Sequence, residues 1–193
     1  MDRLLMAQRG ESQARLVLTG RPGAGKTSLL ETLRGRGWSV LEEAGRAVIQ
    51  DQERIGGPAL PWMDRRAFAD QMLGWDMRNH RMAEASEGPV LFDRGIPDVI
   101  AYLELCGLPV PAHLESAAKV FRYDQVFLLR PWPEIFVQDR ERRQTLEEAE
   151  RTCEAMERVY ARLGYRLQEV PRGTVMQRAD FVMSWMSAWR RRR

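Results

Sequence analysis

Five short apolar runs along the chain have the pattern of buried parallel strands, and longer amphipathic segments separate them. The predicted strands cover residues 16–19, 38–42, 89–93, 125–129 and 165–170. The segment between the second and third strands places Phe68, Met72, Trp75 and Met82 on one face of a long helix. Strands that alternate with helices predict an α/β fold with a doubly wound parallel sheet.

Two later helices show their starts in the sequence. Thr145–Glu148 and Thr174–Gln177 each have the spacing of a capping box. The last helix then carries a core-facing apolar stripe, composed of Val175, Ala179, Val182, Met186 and Trp189. No internal repeat or change of composition divides the 193 residues, so we expect a single domain over residues 1–193.

The turn after the first predicted strand has the pattern of a phosphate-binding loop. It reads Gly20-x-x-x-x-Gly25-Lys26-Thr27 between a strand and a helix start. Glycines let the backbone wrap closely around phosphate, and the N–H groups at the start of the helix face the anion. Lys26 would bind the β- and γ-phosphates, and Thr27 would bind Mg²⁺. The predicted nucleotide-binding residues are Gly20, Arg21, Pro22, Gly23, Ala24, Gly25, Lys26, Thr27 and Ser28.

Acidic residues follow the next two strands, at the sheet edge where ligands bind in such folds. Glu43 would accept a proton from a substrate hydroxyl or orient that hydroxyl; the alternative is a surface glutamate that begins a helix. Asp93 would hold Mg²⁺, directly or through water; the alternative is a helix cap, for which Asp98 is the better candidate. Arg94 would contact an anionic acceptor or the transferred phosphate.

A segment at about 131–150, after the fourth strand, is a predicted lid rich in arginine. Arg140 and Arg143 share one helical face, from which they would stabilise transition-state charge when the lid closes. The alternative is an exposed helix whose arginines pair with Glu147, Glu148 and Glu150.

The connection 54–87 is long for a single crossover and is the predicted location of an acceptor pocket. Trp62 lies in it and could stack on a planar substrate. The alternative is a partly buried tryptophan that packs against the loop.

The formal net charge of +3 and the pI near 9.2 come mainly from the tail Arg190–Arg193, so the body is close to neutral. We therefore expect no nucleic-acid surface; the tail either contacts acidic lipid or RNA, or ends a solvated helix. Two cysteines form no disulfide framework, and His80 and His113 lack the spacing of a metal site. The first ten residues are unlike a signal peptide and no run has the length of a membrane span, so we expect a cytoplasmic protein.

These residues together resemble the small P-loop kinases. The likeness lies in 20–27, in Glu43-Ala44-Gly45-Arg46 and in Phe92-Asp93-Arg94-Gly95. The ribosylnicotinamide kinase domain of a bacterial NAD-biosynthesis regulator has a similar Glu-x-x-Arg, and thymidylate and deoxynucleoside kinases share the acidic-Arg step. The runs 92–102 and 130–135 are also similar to bacterial proteins labelled AAA-type ATPases, a likeness that covers roughly 16–185.

The resemblance implies a three-layer P-loop NTPase fold with a five-stranded parallel sheet in the order 2-3-1-4-5. It also implies ATP or GTP together with Mg²⁺, and it names no acceptor. Ring ATPases have a glutamate after the Walker-B aspartate, whereas Arg94 follows Asp93 here. A signalling GTPase is not indicated, because the Asn-Lys-x-Asp motif is missing.

Two functions are consistent with this pattern. We expect a phosphotransferase that moves the γ-phosphoryl of a nucleoside triphosphate to a hydroxyl of a small, nucleoside-like molecule. Its catalytic residues would be Lys26, Glu43, Asp93, Arg140 and Arg143, and its substrate-binding residues Glu43, Arg46, Trp62 and Arg94. The alternative is a regulatory switch that binds and hydrolyses nucleotide while its lid and basic tail contact a protein or an anionic lipid.

Overall fold

The computed structural model of the chain describes residues 14–20, 24–130 and 146–190. Five parallel strands form one sheet in the order β2-β3-β1-β4-β5, as predicted. They are β1 (Arg15–Gly20), β2 (Ser39–Leu41), β3 (Val90–Asp93), β4 (Gln125–Leu129) and β5 (Leu167–Glu169). All six residues of the central strand β1 are buried, because both faces of the sheet are covered.

The helices cover the two faces of this sheet. They are α1 (Lys26–Gly35), α2 (Ala44–Ile55), α3 (Arg65–Glu84), α4 (Ile96–Leu105), α5 (Ala112–Val120), α6 (Leu146–Arg162) and α7 (Val175–Arg190). Side chains of a strand alternate between faces, so Leu16 and Leu18 pack with α1 and α7, whereas Val17 packs on the opposite side with Tyr160 of α6. The result is the three-layer α/β architecture that the sequence predicted.

Details of the edge strands and of α3 differ from the prediction. The outer strands β2 and β5 have three residues each, because only those residues pair with the single neighbouring strand. Met82, predicted on the buried face of α3, is 44% exposed. The buried stripe continues instead through Asn79 and Ala83, four residues apart. The connection 54–87 contains the end of α2, a turn and the whole of α3.

The predicted capping box at the start of α7 is confirmed. The hydroxyl of Thr174 accepts a hydrogen bond from the N–H of Gln177 at 3.2 Å, and the side chain of Gln177 accepts one from the N–H of Thr174 at 2.9 Å. The stripe of α7 is buried at Ala179, Val182 and Met186. The predicted box at Thr145 lies outside the described residues.

Among the helices in the described part of the chain, none combines the length and the apolar character that a membrane span requires.

We expect Thr174→Ala to lower the free energy of unfolding by about 1 kcal/mol, because the first turn of α7 loses its capping hydroxyl. Urea unfolding followed by circular dichroism measures the change. Ser187→Ala, in the same helix, is the matched control, since that hydroxyl bonds to the helical carbonyl of Met183. Equal losses of stability in the two variants would contradict the capping role.

Candidate functional site

Two glycines of the predicted phosphate loop, Gly20 and Gly25, are required by its backbone geometry. Gly20 has φ +128°, and a Cβ there would collide with the backbone of Leu129 on the neighbouring strand β4. Gly25 lies at the N-cap of α1 with φ +71°, in the left-handed region. Thr27 and Ser28 are exposed in the first turn of α1, where backbone N–H groups have no helical partner. Arg21, Pro22 and Gly23 lie outside the described residues.

Lys26 is the first residue of α1, and it is buried among carboxylates. Lys26 is 6% exposed. Its ammonium donates a hydrogen bond to the carboxylate of Asp93 and lies 3.7 Å from Oε2 of Glu43. Asp93 ends β3, in register with Leu18 of β1, so the parallel pairing delivers its carboxylate beside the loop. Glu43 precedes α2 and makes no capping hydrogen bond to that helix. The structure thus brings Lys26, Glu43 and Asp93 together, as the sequence predicted.

Arg94 joins this cluster from the turn after β3. Its Nε donates to Oε1 of Glu43 at 2.9 Å, and its Nη1 lies 3.4 Å from Oδ1 of Asp98. The backbone of Arg94 has φ +68°, a conformation that costs a non-glycine residue on the order of 1 kcal/mol. The two carboxylates hold the guanidinium in place, and they offset this local strain.

Asp98 holds the far end of the network, a role that the sequence did not reveal. It accepts the backbone N–H of Gly95 at 3.1 Å, so it caps α4 from the third position of the helix, whereas Gly95 is the N-cap residue. It also accepts hydrogen bonds from the hydroxyls of Thr19 at 2.5 Å and Tyr160 at 2.6 Å. Asp98 therefore joins β1, α4 and α6 to Arg94.

The charges of the cluster set the protonation of Glu43. Burial raises its pKa, but the positive charges of Arg94 and Lys26 outweigh burial and lower the pKa to about 2. Glu43 is therefore a carboxylate throughout the neutral range. The same opposition raises the pKa of Arg94, where Glu43 and Asp98 outweigh burial.

Lys26 responds in the opposite direction. Burial, together with the charge of Arg94, lowers its pKa to about 7, although Glu43 and Asp98 act to raise it. A lysine with a pKa near 7 is only partly protonated at neutral pH. A bound phosphate would stabilise its charged ammonium and so raise this pKa.

Asp76 is a further acid that the sequence reasoning missed. It lies on α3, is 3% exposed and has a pKa well above its ordinary value, because burial and the charges of Asp98 and Glu43 disfavour its ionised form. Local sequence gave no sign of it, since its helical position fits an ordinary amphipathic face.

The other predicted residues differ in how they relate to the cluster. Arg46 is exposed on α2 and acts electrostatically on both Lys26 and Glu43. Trp62 is 60% exposed in the turn between α2 and α3. Arg140 and Arg143 lie outside the described residues, as does most of the predicted lid.

The donors at this site fit a magnesium ion. Within the described ranges no group of three or more His, Cys, Asp or Glu side chains could hold a metal on its own. Magnesium bound with nucleotide needs only one or two protein oxygens, because phosphate and water supply the rest. Thr27 in the first turn of α1 and Asp93 at the end of β3 offer those oxygens.

A cavity of about 40 Å³ lies on the other side of the loop, at the carboxyl ends of β4 and β5. Arg130, at its rim, pairs with Glu157 at 2.5 Å and with Glu169 at 2.8 Å. The residues that line the cavity are Ala24, Arg130, Glu169, Val170, Pro171, Arg172 and Arg178.

Comparisons with known proteins show the family and the fold. The model of a family described as AAA domain matches residues 15–178. A search of curated proteins found no match to this sequence.

Solved structures of nucleoside and nucleotide kinases share the fold. A deoxyadenosine kinase from M. mycoides with the products dCMP and dCDP bound superposes with a TM-score of 0.61 at 14% identity, covering 90% of this chain and 99% of that one. A thymidylate kinase from Ehrlichia chaffeensis gives 0.63 at 13%, covering 91% and 99%. The NadR protein in complex with NR gives 0.65 at 18%, covering 91% of this chain and 49% of that one, so this chain spans about half of it. The predicted P-loop kinase fold is thereby confirmed.

We expect the free energy of unfolding to rise with pH between 7 and 9 more steeply in the wild type than in Lys26→Met. The pKa of Lys26 is about 7 in the folded protein and 10.5 ordinarily, so the unfolded chain binds more protons between these values and a higher pH favours folding. The extra slope approaches about 1.4 kcal/mol per pH unit.

Urea unfolding at pH 7, 8 and 9 measures this slope. Lys119→Met removes an exposed lysine of α5 and should keep the wild-type slope. If the Lys26→Met protein also shows the wild-type slope of unfolding free energy against pH, burial does not destabilise the ammonium of Lys26.

Proposed function

The chain belongs to the AAA domain family, and we propose that it is a nucleoside-triphosphate-dependent phosphotransferase acting on a hydroxyl of a small, nucleoside-like molecule. The observation that carries the proposal is the convergence of Lys26, Glu43 and Asp93 at the ends of three adjacent strands. Phosphate binding alone needs a loop and a lysine. The half-buried Glu43–Arg94 pair adds what a second substrate requires, a hydrogen-bond acceptor and a cation beside the same phosphate.

The nucleotide would bind with its β- and γ-phosphates on the loop and on the first turn of α1. Lys26 contributes a charge that binding itself stabilises, since its pKa is about 7. Thr27 and Asp93 are the proposed ligands of Mg²⁺, which neutralises charge between the phosphates when it is bound.

The base of ATP or GTP would lie near the cavity between the ends of β4 and β5. This cavity adjoins the loop at Ala24, and the turn Pro171–Arg172 offers backbone groups to a planar ring. Arg130 is fixed at its rim by Glu157 and Glu169. The position is consistent with a nucleotide that extends from the loop across the sheet edge.

Glu43 would orient the attacking hydroxyl rather than remove its proton early. A carboxylate with a pKa of about 2 is a weak base but a good hydrogen-bond acceptor. In a loose phosphoryl-transfer transition state the attacking hydroxyl loses little of its proton before the phosphoryl group has moved. Orientation of that hydroxyl by Glu43 would therefore be sufficient. Arg94, bonded to the same carboxylate, would stabilise charge on the transferred group.

The remaining predicted residues complete the proposal. Arg46 and Trp62 would contribute to the acceptor side, and Arg140 and Arg143 would close over the phosphates from the lid at about 131–150. A single domain over 1–193 would contain the whole site. The similar kinases are named for nucleoside or nucleotide substrates, which supports an acceptor of that class.

The test is a transfer screen with γ-labelled ATP and GTP against nucleosides, sugars and aminoglycoside-like compounds. We expect the γ-phosphate label to appear on at least one of these small molecules. Label that appears only as free phosphate, across all acceptors, would contradict phosphotransfer and favour a hydrolysing switch.

We expect Glu43→Gln to lower kcat for transfer by about 10²-fold or more, with the Kd for nucleotide changed less than about twofold. The amide keeps the size of the side chain but loses the charge that orients the hydroxyl. The matched control is Glu42→Gln, since Glu42 is adjacent and exposed. Full transfer activity in Glu43→Gln, or an equal loss of activity in Glu42→Gln, would end the assignment.

A further inference from the structure

Arg178 of α7 reaches across to the phosphate loop. It is 5% exposed, and its Nη2 donates a hydrogen bond to the backbone carbonyl of Ala24 at 2.8 Å. Its own backbone N–H bonds to the carbonyl of Thr174, which fixes it in the first helical turn. Two segments 154 residues apart in sequence are thus joined by one side chain.

Packing does not explain an arginine at this position. Burial lowers the pKa of Arg178 below its ordinary value, and among the residues that the structure describes no carboxylate pairs with it. Its Nε–H is also buried without a hydrogen-bond partner in that part of the chain. A leucine or methionine would fill the space without this desolvation cost, so the hydrogen bond to the loop is the feature that needs a guanidinium.

The bonded carbonyl controls the direction of a neighbouring N–H. The peptide between Ala24 and Gly25 is trans, so the carbonyl of Ala24 and the N–H of Gly25 point in opposite directions. Arg178 holds the carbonyl toward α7, and the N–H of Gly25 must then face away from α7. Without that bond the peptide is free to rotate, since Gly25 tolerates both positive and negative φ.

We propose that Arg178 is a positioning residue of the phosphate site: by holding the Ala24 carbonyl, it aims the Gly25 N–H at the nucleotide phosphates. This inference rests on the proposed function, because it takes the loop to be the phosphate site. The charged donor also polarises the peptide and makes its N–H a stronger donor. Arg178 itself need not touch the phosphates.

Calorimetric titration with Mg-pyrophosphate and with Mg-ADP tests the proposal in the full chain. Pyrophosphate has no base, so it reports on the loop alone. We expect Arg178→Met to weaken the binding of both ligands about tenfold or more, the effect of a lost charge-assisted hydrogen bond. Arg178→Lys should recover part of the affinity, because an ammonium still donates to the carbonyl.

The control is Arg34→Met, which removes an equal charge from the exposed last turn of α1. It should leave pyrophosphate binding within about twofold of the wild type. Wild-type affinity in Arg178→Met would overturn the proposal. Equal losses of affinity in the Arg34 and Arg178 variants would also overturn it, because they would mean that net charge alone is responsible. A loss of affinity for ADP in Arg178→Met without a loss for pyrophosphate would overturn it too, because it would mean that Arg178 contacts the base.

The two proposals fail in different ways. A wild-type protein that binds both ligands but labels no acceptor contradicts phosphotransfer and leaves the result for Arg178 intact. A wild-type protein that binds neither ligand contradicts both. If Arg178→Met fails to fold, as thermal unfolding would show, Arg178→Gln decides, because its polar side chain is shorter and uncharged and cannot replace the charged donor at the Ala24 carbonyl. Pyrophosphate affinity equal to that of the wild type in Arg178→Gln overturns the proposal, and an affinity at least about tenfold weaker supports it.

Discussion

The buried ammonium of Lys26 is the interaction on which the site depends. A cation that is 6% exposed is unstable unless opposite charge surrounds it, and two carboxylates do so here. Glu43 follows β2 and Asp93 ends β3, so both arrive only because these strands lie in order beside β1. The order of the parallel strands therefore brings the charged side chains together, and the register of the strands determines which of them are in contact.

From Lys26 the charges alternate in sign through Glu43 and Arg94 to Asp98. Each side chain is held by the next, which fixes the guanidinium of Arg94 despite its strained backbone. The series ends on the hydroxyls of Thr19 and Tyr160, and thereby on the central strand and on α6. Groups held in this way need little reorganisation when a phosphate arrives, which is the condition for electrostatic stabilisation of a transition state.

The features that could be predicted from the sequence are those that a short run of residues determines. The loop from Gly20 to Thr27, the strand-end acids and the capping box of α7 each occupy a few consecutive residues with a known physical role. Asp98 as a hydrogen-bond centre, the buried Asp76 and the link from Arg178 were not predicted, because each depends on partners far away in the chain. Tyr160 and Asp98 are 62 residues apart, and Arg178 and Ala24 are 154 apart. In isolation these residues look like ordinary members of amphipathic helices.

The nucleotide side and the acceptor side of the proposed site depend on the sequence in different ways. In the proposed function the nucleotide side uses backbone N–H groups and one lysine, so a single short motif is sufficient to specify it. The proposed acceptor side consists of side chains on α2, on α3 and in the turn after β3. The fold itself does not require those side chains. The deoxyadenosine kinase and the thymidylate kinase that share this fold at 13–14% identity are named for different substrates. Under the proposed function, identifying the acceptor therefore depends on the surroundings of Glu43, Asp76 and Arg94, because these side chains determine the charge and the hydrogen-bonding capacity of that side.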